Sequence, residues 1–367
     1  MKDDLKLIVP KNFIEVGTKV NTHINELWDT DKNYIVDLDL PRFRNGEGKA
    51  VLQESVRNQD VYIMPDVYNY DVTYKFHGNV HHMAPDEHMQ DIKRIINAMS
   101  GHAKKITLVM PMLYGSRQDK RVLRECLDCA MFLEDMERYG VKEIVSFDVH
   151  EPKVYNSIPN LPFSNSYATG EMLLSILNNE RPSVNNIFVV GPDEGARQRA
   201  RFVADLLGKK TKFASFEKRR NWGIVQNGGS PIEYHVFNGP DRLDGCDIIV
   251  PDDMIDSGGS LLHTAEDLKK RGAAHIYLMA TFGLFTDGVD KFDEYYKKGI
   301  IDRVYTTNLN YVPDDIKSRE WYVNVDLSFK LANLITNLNQ GHSIRDMLSG
   351  ANEAVEKIKK LGFYKYE

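Results

Sequence analysis

Short apolar runs alternate along the chain with stretches in which apolar side chains return every three or four positions. The runs VYIMP (61–65), ITLVMPM (106–112) and EIVSFDV (143–149) predict strands in the first half, and IFVVG (187–191), DIIVP (247–251) and HIYLMATFG (275–283) predict strands in the second. After the start signal Pro85-Asp86, Met89, Ile92, Ile95, Ile96 and Met99 repeat at helical spacing; Val122 to Met136 does the same, and helices follow near 196–207 and 259–271. Such alternation predicts an α/β fold of βαβ units around mainly parallel sheets. The segment NSIPNLPFSNS (156–166) breaks both periodicities and predicts a domain boundary. The expected domains are therefore 1–163 and 164–327, with a helical tail at 328–367 that packs on the first. Residues 221–240 break the pattern again and predict a long functional loop.

The length of 367 residues suits two domains at roughly 150 residues each. With 42% hydrophobic and 27% charged residues the chain is globular rather than disordered. A net charge of −6 excludes a protein that holds nucleic acid by bulk charge, so local basic clusters are read as sites. The three cysteines, Cys126, Cys129 and Cys246, cannot all pair within one chain, which points to a reducing compartment and a cytoplasmic protein. Cys126 and Cys129 lie three apart inside an apolar helical pattern, where core packing is the expected role. No run approaches the ~18 apolar residues of a membrane span, and the apolar stretch near the start is too short for a signal peptide, so no membrane role is expected.

Candidate chemistry concentrates at strand ends. In IIVPDDMIDSGGSLLHTAEDLKKRGA (248–273) a strand meets Asp252-Asp253, a turn of small residues follows, and then a helix. Glycines let backbone amides converge on an anion, the helix start adds its dipole, and Ser257 and Ser260 add hydroxyls. Paired acids beside a phosphate make sense if they accept hydrogen bonds from sugar hydroxyls or hold a cation. A phosphorylated sugar is the implied ligand. Asp193, before a helix carrying Arg197, Arg199 and Arg201, occupies a similar position, although that helix also reads as a solvated basic face. Arg117, Asp119, Lys120, Arg121 and Arg124 follow a first-half strand and suit a polyphosphate. Asp148 and His150, expected on one side of a strand end, suit magnesium or manganese. Lys218, Arg219 and Arg220 stand at the mouth of the 221–240 segment. The cluster His77, His81, His82 and His88 lacks tetrahedral ligand spacing and is left without a metal role.

In this order the segments RFRNGE (42–47), ESVRNQDVYIM (54–64), SRQDKR (116–121), FDVHEP (147–152), GPDEGARQRAR (191–201), EKRR (217–220) and PDDMIDSGGS (251–260) resemble the ribose-phosphate pyrophosphokinase family. The resemblance implies two phosphoribosyltransferase-like domains and synthesis of phosphoribosyl pyrophosphate and AMP from ATP and ribose 5-phosphate. It implies ATP contacts at Phe43, Asn45, Gly46, Glu47, Arg117, Gln118 and Asp119, with the 43–47 loop serving a neighbouring subunit. It also implies magnesium at His150 and Asp193, with manganese as a substitute, and catalytic cations at Lys218 and Arg220. The ribose-5-phosphate site maps to Asp252, Asp253, Asp256, Ser257, Gly258, Gly259 and Ser260. A hexamer is implied too, and no nucleic acid or membrane partner. Asn45 stands where the family often has Asp, and Ala196 replaces a common glycine. A phosphoribosyltransferase would share the small-residue loop without needing RFRNGE or SRQDKR. A non-catalytic regulatory subunit of the same fold would not need to retain Lys218, Arg220, His150 and Asp193.

Overall fold

The structure, a computed structural model, describes residues 4–121, 123–220 and 232–365. The chain forms two compact units. One comprises Met1–Tyr167, Asn308–Val312 and Asp326–Ser349, and the other Ala168–Thr307, Pro313–Val325 and Gly350–Glu367.

In the first unit the main strands are β1 (Leu5–Ile8), β4 (Asp60–Ile63), β7 (Lys105–Val109), β8 (Glu143–Phe147) and β9 (Phe163–Ser166). They form one parallel sheet in the order β1-β4-β7-β8-β9. Two small antiparallel ribbons stand apart from it, β2 (Leu38–Asp39) with β3 (Val51–Leu52) and β5 (Thr73–Phe76) with β6 (Asn79–His82). The near-continuous apolar character of β4 and β7 is what strands covered on both faces require. Helices α1 (Ile14–Trp28), α2 (Pro85–Ala98) and α3 (Asp128–Arg138) accompany the sheet. In α2, Pro85 opens the first turn and the Glu87 carboxylate accepts the Ala84 amide at 3.0 Å, while Ile92, Ile95 and Ile96 enter the core. Burying one such side chain contributes about 1.5–3 kcal/mol. Helix α3 begins at Asp128 rather than near 122, and Val122 lies outside the described residues.

The second unit contains β10 (Ile187–Gly191), β11 (Lys212–Arg220), β12 (Ile232–Asn238), β13 (Asp247–Ile255), β14 (His275–Gly283), β15 (Arg303–Thr307) and β16 (Tyr322–Val325), ordered β12-β11-β10-β13-β14-β15-β16. All neighbours are parallel except β11 and β12. Helices α4 (Thr169–Glu180), α5 (Arg197–Leu206), α6 (Gly259–Lys270) and α7 (Asp290–Lys297) complete the unit.

Three expectations about local structure are corrected. The 221–240 segment is not one loop: residues 232–238 form β12, whose Phe237 ring meets Phe216 at 4.8 Å, and 221–231 lie outside the described residues. Cys126 is exposed ahead of α3 and only Cys129 is buried, its thiol pushed up to about 12 by burial and by Asp119. In the tail, the helix Ser328–Asn339 packs on α1 in the first unit, whereas residues 350–367 belong to the second; there Ala351–Lys360 packs on α4 and α5. Among the described residues no helix is long and apolar enough to cross a membrane.

Candidate functional site

The second sheet changes direction between β10 and β13. From β10 the chain moves through β11 and β12 to one edge, and from β13 it moves through β14, β15 and β16 to the other. In an open parallel sheet this switch leaves a crevice at the carboxyl ends of the two central strands. Asp193 follows the end of β10, and β13 delivers Asp252 to Ser260. The strand is longer than its apolar run suggested. It continues through the acids to Ile255, pairing Asp252 with Ala280 and Met254 with Phe282 on β14, because the ladder persists after the hydrophobic pattern stops.

The acids therefore sit in a rigid sheet and are largely removed from water. Asp253 is buried, and the Asp252 side chain is 18% exposed. Burial, then the neighbouring Asp253 charge, drive the Asp252 carboxyl well above its ordinary range, and Asp193 adds to the rise. Arg199 opposes the shift, with Nη1 3.9 Å from Asp252 Oδ1. Part of the supposed basic face of α5 is thus turned to the crevice. Arg197 and Arg201 instead pair along the surface with Glu194 at 3.6 Å and Asp205 at 3.1 Å. Asp193 is fixed by the Ala196 amide, which donates to its Oδ1 at 2.9 Å at the start of α5.

Beyond Ile255 the chain turns through Asp256, Ser257 and Gly258 into α6. Gly258 has φ +76°, and a Cβ there would lie 2.2 Å from Phe292 Cζ, so the backbone conformation and the fully buried ring both demand glycine. Gly259 meets only Ser257 Oγ, at 3.8 Å from an added Cβ, and is exposed. A helix start leaves its first amides without intrahelical acceptors, and its dipole favours an anion. Small residues around that start let a phosphate approach the backbone.

The side chains of Lys218 and Arg220 lie outside the described residues; their backbone is in β11, opposite His235 and Ile232, with a register irregularity between Arg219 and Arg220.

In the first unit the expected nucleotide residues fall in two places. Phe43 to Glu47 form a tight exposed turn: the Phe43 amide donates to the Glu47 carbonyl at 2.7 Å, the Gly46 amide donates to the Phe43 carbonyl at 2.9 Å, and Gly46 has φ +91°. The Asn45 amide group donates to Glu47 Oε2 at 2.9 Å, and Phe43 is 57% exposed. Beneath the turn, Arg42 donates to the buried Asp91 carboxylate at 2.6 Å. Arg117 and Gln118 are exposed and Asp119 half-buried in the segment after β7, where the Gln118 amide donates to the Gly115 carbonyl at 2.8 Å.

His150 is exposed and Asp148 buried. Strand β8 ends at Phe147 and Asp148 adopts φ +40°, so the period-two rule that placed both side chains on one side does not apply. The histidine-rich segment is a hairpin whose turn, His77-Gly78, has positive φ at both residues. Its histidines have separate jobs: His81 meets Glu87 at 2.8 Å and His82 the Tyr70 carbonyl at 2.8 Å, while the buried His88 lies between Asn12 Nδ2 at 3.0 Å and the Asn69 carbonyl at 2.8 Å. No group of three or more His, Cys, Asp or Glu side chains among the described residues is arranged to hold a metal ion by itself.

A family model for the N-terminal domain of ribose phosphate pyrophosphokinase matches residues 6–140, and a phosphoribosyl transferase domain model matches residues 164–315. The chain belongs to the ribose-phosphate pyrophosphokinase family. Among relatives, the ribose-phosphate pyrophosphokinase of Vibrio cholerae is 28% identical over 354 residues, covering 94% of this chain and 99% of that one. The protein of the same name from Haemophilus influenzae is 27% identical over 317 residues, covering 85% and 91%. The solved phosphoribosylpyrophosphate synthetase of Mycobacterium smegmatis shares the fold, with a TM-score of 0.74 at 22% identity, over 92% of this chain and 99% of that one. Family membership and the two-domain α/β fold thus agree with the sequence reading.

Sequence reasoning missed the inward role of Arg199. The only signal for it was its spacing on α5: Ala200 and Val203 are buried, and residue 199 lies one and four positions before them, at the edge of that apolar stripe.

Proposed function

We propose that this chain is a ribose-phosphate diphosphokinase, transferring the pyrophosphoryl group of ATP to the anomeric hydroxyl of ribose 5-phosphate and releasing AMP. The observation that carries this reading is that one chain joins the family's N-terminal domain to a phosphoribosyl transferase domain whose small-residue loop follows two adjacent carboxylates, Asp252 half-buried and Asp253 buried. A phosphoribosyltransferase alone would need only the second part.

In this proposal the loop at Asp256, Ser257, Gly258, Gly259 and Ser260 binds the 5-phosphate, and Asp252 and Asp253 accept hydrogen bonds from the ribose hydroxyls. Binding a hydroxylated sugar there supplies donors to carboxylates that burial and mutual repulsion otherwise disfavour as anions. Phe43, Asn45, Gly46, Glu47, Arg117, Gln118 and Asp119 hold ATP. The sugar's anomeric oxygen attacks the β-phosphorus, the bond to the α-phosphate oxygen breaks, and AMP leaves with that oxygen while the hydroxyl proton is lost. Negative charge grows on the leaving oxygen and the transferred group, so positioning and cations dominate the catalysis. Lys218 and Arg220 supply those cations and help exclude water.

Magnesium fits the oxygen-rich donors of the second unit. It commonly keeps its waters and binds through one or two carboxylates and substrate phosphates. By resemblance, Asp193 in the second unit and His150 in the first are each candidate ligands, direct or through water, and the ion's chemistry would be to neutralise phosphate charge. Manganese can substitute in the same donor set. Self-association, hexameric by resemblance, is part of the proposal.

The test is purification followed by an assay for AMP formed from ATP and ribose 5-phosphate, with and without magnesium. AMP that requires both substrates supports the reading, and its absence overturns it.

A further inference from the structure

The sugar-phosphate loop is gripped from the side by residues after β14 that the proposed reaction does not assign. The amides of Leu284 and Phe285 reach the Ile255 carbonyl at 2.8 and 3.3 Å. Thr286 then holds Asp256 twice: its amide donates to the Asp256 carbonyl at 3.0 Å, and its hydroxyl donates to Asp256 Oδ1 at 2.7 Å. This geometry follows from Phe285, which has φ +49° and yet is buried. Its ring packs on Phe292 at 5.4 Å and Trp321 at 6.2 Å, and Phe292 is the ring beneath Gly258. A non-glycine residue in the left-handed region is held there by its surroundings. One aromatic cluster therefore sets both the floor of the loop and the clamp on its first residue.

We propose that Thr286 is a positioning residue for ribose 5-phosphate, keeping the Asp256 carboxylate off the amides that receive the 5-phosphate. Aspartate readily accepts backbone N–H groups two or three residues along the chain, as at helix starts and in turns. For Asp256 those groups are the amides of Gly258 and Gly259, at the start of α6. By donating to Oδ1, the Thr286 hydroxyl draws the carboxylate away from those amides, and without that bond the carboxylate competes more strongly with the phosphate for them. The inference rests on the sugar-phosphate assignment made above.

The experiment compares wild type with Thr286→Val, which removes the donor at nearly constant shape, and Thr286→Ser, which keeps it. Thr286 is exposed, so both variants are expected to fold. If the valine variant does not, Thr286→Ala carries the same expectation. Thr286→Val should raise KM for ribose 5-phosphate about tenfold, the scale of one lost hydrogen bond to a charged group, with kcat and KM for ATP within twofold and Thr286→Ser near wild type. A merely structural role would instead lower kcat and raise both KM values. A ribose-5-phosphate KM for Thr286→Val within twofold of wild type overturns the proposal, as does a serine variant as impaired as the valine one. If wild type forms no AMP, the proposed reaction fails. Calorimetric titration of ribose 5-phosphate into the same three proteins then reads the Thr286 effect independently, with equal affinities overturning it.

Discussion

The loop after β13 and the turn at 43–47 are both expected to touch substrate, but they are built in opposite ways. The first continues a central strand, begins beside one half-buried and one buried carboxylate, and rests on a fully buried aromatic ring. The second projects Phe43 into solvent and is tied by its own backbone and by the His77 amide of the neighbouring hairpin, which donates to the Arg44 carbonyl at 2.9 Å, with Arg42 anchored below it by Asp91. A loop fixed by the core binds with little ordering cost, whereas an exposed aromatic turn contributes through what it contacts. Changes in the first should damage fold and binding together, and changes in the second should affect nucleotide binding alone.

The sharpest test of that contrast is Gly258→Ala. The left-handed backbone and the collision with Phe292 together should cost about 2–5 kcal/mol, read as a loss of unfolding free energy in denaturant, with ribose 5-phosphate binding abolished. Next is Lys218→Ala, expected to lower turnover by about 10²–10³ without changing stability, the scale for removing one charge-stabilising donor; steady-state kinetics and a melting curve check both parts. Near-normal turnover removes Lys218 from the mechanism.

Buried carboxylates extend the comparison to pH. Asp66 in the first unit accepts the amides of Tyr68 at 2.9 Å and Tyr311 at 2.6 Å, yet burial raises its carboxyl to about 7. With a pKa raised above the unfolded value, the folded state binds more protons between roughly pH 4 and 7, so stability from this group is present at low pH and is lost as pH rises through 7. Asp66→Asn should lower stability through the lost acceptor and also flatten the pH slope, by about 2–4 kcal/mol across that interval. Denaturant unfolding of both proteins at several pH values measures it; an unchanged slope would show that Asp66 does not titrate there. The smallest effect is expected for Phe43→Ala. Stability should stay within about 0.5 kcal/mol, while KM for ATP rises about tenfold, as expected for losing an aromatic face against a base.

How much of this was legible in the chain depended on where information was local. Strands β10 and β14 were read to the residue because a covered parallel strand is an uninterrupted apolar run. Strand β13 was cut short, since Asp252 and Asp253 look like a loop when sheet pairing, a long-range fact, is unseen. β12 was missed for a related reason: Asn227, Gly228, Gly229 and Pro231 just before it suggested irregular chain and masked the run from Ile232 to Phe237. The small-residue turn after the acids announced its chemistry through spacing. The roles assigned to Phe43 and Lys218 came from resemblance alone, because exposed aromatics and basic triplets have no distinctive physics on their own. Arg199, Phe292 and Thr286 acquire meaning only through neighbours far away in sequence.

The first unit closes late. Its α1 packs against the helix Ser328–Asn339, whose Leu331, Leu334 and Ile335 are buried and whose Asn339 donates to Asp60 at 2.9 Å. During translation, then, the amino-terminal half leaves the ribosome with an uncovered apolar face and keeps it until residues 328–339 have been made. A fragment ending at Tyr167 should therefore be prone to clump, and supplying residues 326–349 as a separate peptide should relieve it.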